Sequence, residues 1–290
     1  MRRVLLALAG AAAARGAVRA IVAAPSASAL ERTNFRGRTV SLAGGPALAI
    51  AGATTAAAGA GSAPAAAAAL TAGLGAGAVG FYDDLVGGRP EHSAKGFRGH
   101  LAALREGRIT SGLVKIVGVG AAGLAASALL AADKSSGADK SSAGPNGAAG
   151  RKQARTGLNV LLGAGVIAGT ANLVNLLDLR PGRAAKAGLL IGAPLAVGRS
   201  GGLAAGPVGA AAALLPADLD EQIMLGDCGA NALGAQLGTA LAARTGPWGR
   251  AALLAVLAAL TAASERISFT QVIERTPGLR ELDALGRKSS

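Results

Sequence analysis

Residues 80–115 read GFYDDLVGGRPEHSAKGFRGHLAALREGRITSGLVK. Two adjacent carboxylates, Asp83 and Asp84, follow a long run of Ala, Gly, Leu and Val, then comes a loop rich in Arg and Lys, and then a second apolar run. Acids at the end of an apolar segment are costly unless a positive partner holds them. A metal ion, a Lys or Arg, or a cation brought with a phosphorylated ligand would serve.

The same alternation of apolar runs and charged loops extends over the whole chain. Of 290 residues 51% are hydrophobic and only 16% charged, and the mean hydropathy is +0.44. Soluble domains carry about 25% charge, whereas a bilayer-crossing helix needs about 20 mainly apolar residues. The runs near residues 4–24, 42–61, 64–82, 113–132, 157–177, 184–198, 201–217, 229–243 and 249–264 therefore predict an all-α, multi-pass transmembrane bundle. Allowing for the weak hydropathy of Ala- and Gly-rich helices, the expectation is about 9 to 10 spanning helices in a single domain over residues 1–290. The first run has a charged start and resembles a signal peptide, but the many apolar runs behind it favour a spanning helix.

The net charge of +13 suits anionic lipid headgroups or phosphorylated ligands. Nucleic acid is disfavoured as a partner, since aromatics make up 2% of the chain and no basic recognition helix or zinc spacing occurs. One cysteine, Cys228, excludes an intramolecular disulfide. Placing loop 25–41 in the cytoplasm puts loops 83–112, 178–183 and 218–228 and the tail from residue 264 on that same side. These hold nearly all the acids, and Arg and Lys also favour this side, in line with the positive-inside tendency, although Arg151, Lys152 and Arg155 fall outside. Residues 133–156, rich in Ser, Gly, Ala and Lys, read as a flexible extracytoplasmic loop, and residues 265–290 as a cytoplasmic amphipathic tail.

Three polar clusters end three helices on this one side. The first is Asp83–Asp84 with Lys95 downstream; the second is Asn172, Asn175 and Asp178 at i, i+3, i+6; the third is MLGDCGAN around Asp227. Each has a plain structural reading: a solvated helix end, interhelical hydrogen bonding, and a turn. Their coincidence on one side favours a shared site. Carboxylate and carboxamide oxygens suit Mg²⁺, which keeps waters and shares its shell with phosphates.

GFYDD, KGFRGH, NLVNLLD and MLGDCGANALG, in that order and with NFRGR…LAGG at residues 34–45, resemble the polyprenyl-phosphate N-acetylhexosamine-1-phosphate transferases, the family that includes the phospho-N-acetylmuramoyl-pentapeptide transferases. The resemblance implies a cell-membrane enzyme with its active site on the cytoplasmic face. It implies transfer of a sugar 1-phosphate from a UDP-sugar to a polyprenyl phosphate with release of UMP and with Mg²⁺ as cofactor. Carried over motif by motif, Asp227 is a metal ligand and Asn175 a second. Asp83 and Asp84 would deprotonate or position the lipid phosphate, and with Asp227 they form the expected catalytic set. Lys95 would bind phosphate, Asn172 and Asp178 would shape the nucleotide site, and Arg36 and Arg38 would hold the lipid phosphate. The family often forms homodimers, though no dimer signature stands in this sequence.

Two departures matter. Asp178 is followed by Leu-Arg-Pro-Gly-Arg in place of the family's Gly and further Asp-Gly pair, which implies that a nucleotide contact is either lost or replaced by Arg180 or Arg183. The histidine-rich loop near the C-terminus is absent. Both argue against a standard muramoyl-pentapeptide enzyme and leave the sugar open. The rival readings are a small transporter or flippase for lipid-linked sugars and an inactive relative of the transferases.

Overall fold

The computed structural model describes residues 1–89, 96–136 and 147–288. Ten longer helices dominate: α1 (Arg2–Val22), α2 (Gly44–Gly59), α3 (Ala63–Val86), α4 (Gly96–Arg105), α5 (Ser111–Ser136), α6 (Gly147–Leu177), α7 (Arg183–Val197), α8 (Gly201–Leu219), α9 (Gly226–Arg244) and α10 (Pro247–Ser264). Two short ones, α11 (Phe269–Arg275) and α12 (Leu279–Ala284), form the tail. Each of the nine apolar runs lies on a helix.

Six of them, α1, α3, α5, α6, α8 and α10, are long and apolar enough to cross a membrane. With about 1.5 Å of rise per residue, the 16 residues of α2 and 15 of α7 reach only about 24 and 22 Å, short of a hydrocarbon core of about 30 Å. The structure is thus an all-α membrane bundle with fewer span-length helices than the apolar runs suggest. Large apolar side chains such as Val4, Leu8, Leu161 and Val256 stay exposed around it, which suits lipid and not water.

Helix α9 is the axis. Residues 228–240 are buried almost without a break, because α2, α3, α6, α7 and α8 surround it. A helix enclosed on all sides needs small residues for close approach, and its polar groups must find partners within the protein. Gly, Ala and Leu supply the first; Thr239 bonds to the Ala235 carbonyl and Gln236 Nε2 to the Ala49 carbonyl. This internal setting explains why α9 lacks the hydropathy of a lipid-facing span. At Gly80, on the facing side of α3, an added Cβ would run into the Asp227 carbonyl.

The loop over 25–41 is more ordered than an all-helical reading anticipates. Strands β1 (Glu31–Thr33) and β2 (Thr39–Ser41) pair antiparallel, Arg32 opposite Val40. Ser41 then pairs with the connection between α8 and α9: its amide donates to the Gln222 carbonyl at 3.2 Å, and its carbonyl accepts from Met224 N–H at 2.8 Å. The linker expected over 133–156 is shorter at both ends, since α5 runs to Ser136 and α6 starts at Gly147; residues 137–146 lie outside the described part. The tail folds back onto the end of the bundle that carries the hairpin.

Candidate functional site

Three helices bring the acids together. The last turn of α3 supplies Asp83 and Asp84, the first turn of α9 supplies Asp227, and α5 supplies Lys115. Lys115 Nζ lies 2.6 Å from Asp83 Oδ2 and 2.8 Å from Asp227 Oδ2. Asp83 is also within hydrogen-bonding reach of Ser111 and of the Asp227 carboxyl. The lysine thus stands where two carboxylates would otherwise repel each other.

Asp84 faces elsewhere. Its Oδ1 accepts from Asp227 N–H at 2.8 Å and its Oδ2 from Cys228 N–H at 2.9 Å. These are first-turn amides of α9, which have no partner within the helix, and a carboxylate there also meets the positive end of the helix dipole. Gly226, at φ +60, lets the chain turn into α9 at this point; an added Cβ would come within 2.8 Å of Asp84 Oδ1. Asp84 is therefore the side chain that sets Asp227 in place, while Asp83 shares its lysine.

Asp178, just past α6, accepts a hydrogen bond from Gly226 N–H. Burial, reinforced by the like charges of Asp218, Asp227 and Asp84, pushes its carboxyl well above the usual range. One turn earlier, Asn175 Oδ1 is buried without a hydrogen-bond partner. Asn172, by contrast, donates from Nδ2 to Thr261 Oγ1 of α10 at 3.0 Å. Its role here is to join two helices, not to shape the carboxylate cluster.

Arg36 is committed to protein partners. Its guanidinium lies 2.9 Å from Glu221 Oε1 and reaches the Lys288 carbonyl at 3.2 Å. Glu221 also accepts from Asn34 Nδ2 at 2.6 Å, and Arg38 lies 3.8 Å from it. The hairpin is thereby fixed, and Arg32 Nη2 reaches the Asp84 carbonyl at 3.2 Å. At the hairpin tip Phe35 is 50% exposed, with the Arg180 guanidinium 4.3 Å and the Arg36 guanidinium 5.3 Å from its ring centre. Lys95 lies outside the described residues.

Sequence reasoning missed Lys115 as a partner, although it closes the stretch quoted at the outset. A lysine at the head of an apolar run reads as a boundary charge. The missed signal is its position: it stands five residues inside α5, where a positive charge needs an acid.

Comparisons with protein-family models, curated proteins and solved structures returned no match to this chain.

Among the described residues no group of three His, Cys, Asp or Glu side chains is disposed to hold a metal ion by itself. The donors present nevertheless fit Mg²⁺ shared with a ligand. Asp83 and Asp227 share the single ammonium of Lys115, Asp84 and Asp178 lie beside them on backbone amides at the start of α9, and Asn175 offers a carboxamide oxygen with no other partner. Such a surplus of acids calls for protons or a further cation. Mg²⁺ takes one or two carboxylates and completes its shell with waters and phosphates.

Proposed function

We propose that the protein is a phosphoglycosyl transferase of the membrane, moving a sugar 1-phosphate from a UDP-sugar to a polyprenyl phosphate and releasing UMP. The observation that carries this reading is the meeting of Asp83, Lys115 and Asp227 from three helices at one end of the bundle. We take that end to be the cytoplasmic face, because the Arg-rich loops gather there.

In the proposed reaction an oxygen of the lipid phosphate attacks the β-phosphorus of the donor. The bond from that phosphorus to the bridging oxygen breaks, and UMP departs with the bridging oxygen. Such a transfer needs alignment and neutralised oxygens more than covalent help from the protein. Lys115 carries a positive charge into the site, and Asp83 beside it would accept a residual proton from the lipid phosphate. Asp84 holds the backbone of Asp227, keeping that carboxylate directed at the site. Asp227 and Asn175 would hold Mg²⁺, which when bound supplies neutralising charge for the pyrophosphate.

The hairpin tip supports a place for the donor nucleotide. Phe35 is one of four phenylalanines in the chain, and it pairs an exposed aromatic face with two guanidiniums. Arg32, three residues earlier in the same hairpin, reaches the Asp84 carbonyl, which ties the element that carries the ring to the carboxylates. This tie suits a nucleobase whose pyrophosphate lies at the carboxylates.

The test is purified protein with Mg²⁺, undecaprenyl phosphate and a panel of UDP-sugars, following UMP. Lipid-dependent UMP release with one of them is expected. No release with any member of the panel contradicts the reading.

A further inference from the structure

The tail beyond α10 is wired into the same end of the bundle. Asp283 of α12 is 8% exposed. It accepts from Arg183 Nε at 2.8 Å and Nη2 at 2.9 Å, a bidentate pair, and from Arg287 Nη2 at 2.6 Å. Arg183 also donates to Thr270 Oγ1 of α11 at 2.9 Å. Lys186 Nζ donates to the carbonyls of Leu282 at 3.1 Å and Asp283 at 2.7 Å, acceptors left open where a helix ends. Arg287 Nε reaches the Pro181 carbonyl at 3.1 Å.

All these partners lie on residues 181–186, directly after the segment that presents Asp178. That segment is held at its start by the bond from Gly226 N–H to Asp178. Towards its end Gly182 N–H donates to Asp218 Oδ2 at 3.2 Å, and the tail grips Pro181 and Arg183. Released from the tail, the segment would keep the first tie, the Asp218 bond and the Arg180–Phe35 contact but lose its ion pairs to Asp283 and Glu274. A bidentate guanidinium–carboxylate pair gives directional restraint as well as attraction, and its burial removes the screening that weakens surface pairs.

We infer that the tail is a strap that sets the donor side of the site, with Asp283 as a positioning residue acting through Arg183 on the segment carrying Asp178 and Arg180. The inference rests on the transferase reading for its effect on substrate, but not for its effect on the chain. The acceptor side, at Asp83 and Lys115, takes no contact from the tail among those described. The strap therefore acts on donor binding and leaves acceptor binding alone.

The experiment compares full-length wild type with Asp283→Asn and Asp283→Glu, in steady-state kinetics and in amide hydrogen exchange. Asp283→Asn is expected to raise the KM for the UDP-sugar about tenfold, the scale seen when a supporting hydrogen-bond partner is removed, with kcat and the KM for polyprenyl phosphate unchanged. Asp283→Glu should restore most of that loss. Exchange at residues 178–183 should quicken in Asp283→Asn and not at residues 44–59. A loss confined to folded fraction would lower kcat and leave both KM values in place, which overturns the inference. So does exchange that quickens only within residues 265–288. Lys186→Gln, which releases the end of α12 and leaves the ion pair intact, should move the same readings by a smaller factor. Should wild type release no UMP, the transferase reading falls, and exchange at 178–183 still decides for or against the strap.

Discussion

Lys115 Nζ and Asp227 Oδ2 lie 2.8 Å apart although 112 residues separate them in the chain. No other lysine among the described residues is paired with an acid of the α3–α9 cluster, and this one serves Asp83 as well. A charge that screens two carboxylates is a folding element, and in the proposed reaction a catalytic one as well.

Lys115→Met tests the two roles together. Removing one partner of a largely buried ion pair costs about 3–5 kcal/mol, so the thermal midpoint in detergent should fall clearly. Replacing Asp83 by Asn in the same chain removes one of the stranded carboxylates and should recover part of the midpoint but none of the transfer activity. Recovery of activity in the double variant would show that Lys115 acts only as a counter-ion.

Asp84→Asn separates Asp84 from its neighbour. One of its two acceptor oxygens becomes an NH₂ group facing an amide N–H of α9, and loss of such a cap costs about 0.5–2 kcal/mol. Thermal unfolding should show that loss for Asp84→Asn, whereas Asp83→Asn, which leaves Lys115 its partner Asp227 and removes the repulsion between the two carboxylates, should lower UMP release with a smaller change in midpoint. Equal midpoints for the two variants would contradict the division of labour.

How much of this the sequence disclosed follows from what is local. Long apolar runs bounded by charge determine helices by themselves, so all nine were legible, as were the acids at their ends. Partners across the bundle were not. Asp83 and Asp84 are indistinguishable as letters, yet successive residues on a helix point roughly 100° apart. One therefore meets α5 and the other the start of α9. The i, i+3, i+6 spacing of Asn172, Asn175 and Asp178 drifts by roughly 60° at each step, enough to leave Asn175 near Asp178 and to turn Asn172 toward α10. The hairpin was hidden because its two strands have three residues each. It owes its stability to Ser41, Glu221 and the tail more than to its own pattern.

Phe35→Ala bears on the donor nucleotide. Stacking of a base on an aromatic ring contributes about 1–3 kcal/mol, so the KM for the UDP-sugar should rise about 5- to 150-fold with that for the lipid unchanged. Titration with UMP alone should weaken in parallel. An unchanged affinity for UMP would remove Phe35 from the site.

Acid should release the tail. Burial raises the pKa of Asp283, but the guanidiniums of Arg183 and Arg287 outweigh it and hold the carboxyl below its ordinary value of 3.8; Lys186 adds a third cation to its surroundings. A lowered folded-state pKa means that this contribution to docking is complete above the unfolded value and is lost as pH falls through the depressed one. Limited proteolysis of residues 265–288 should therefore be slow and constant above about pH 5 and quicken below about pH 4. A tail equally protected at pH 3 would show that the ion pairs do not hold it.

The transferase account turns on Asp227. The decisive measurement is UMP release by wild type and by Asp227→Asn, each purified to the same monodisperse state, with Mg²⁺, undecaprenyl phosphate and the UDP-sugar that wild type accepts. The account predicts lipid-dependent release by wild type and at least a hundredfold less by Asp227→Asn, on the scale of losing a catalytic electrostatic contact, with both proteins assayed well below their thermal midpoints, since the substitution also takes one partner from Lys115. Release by Asp227→Asn at the wild-type rate would contradict it.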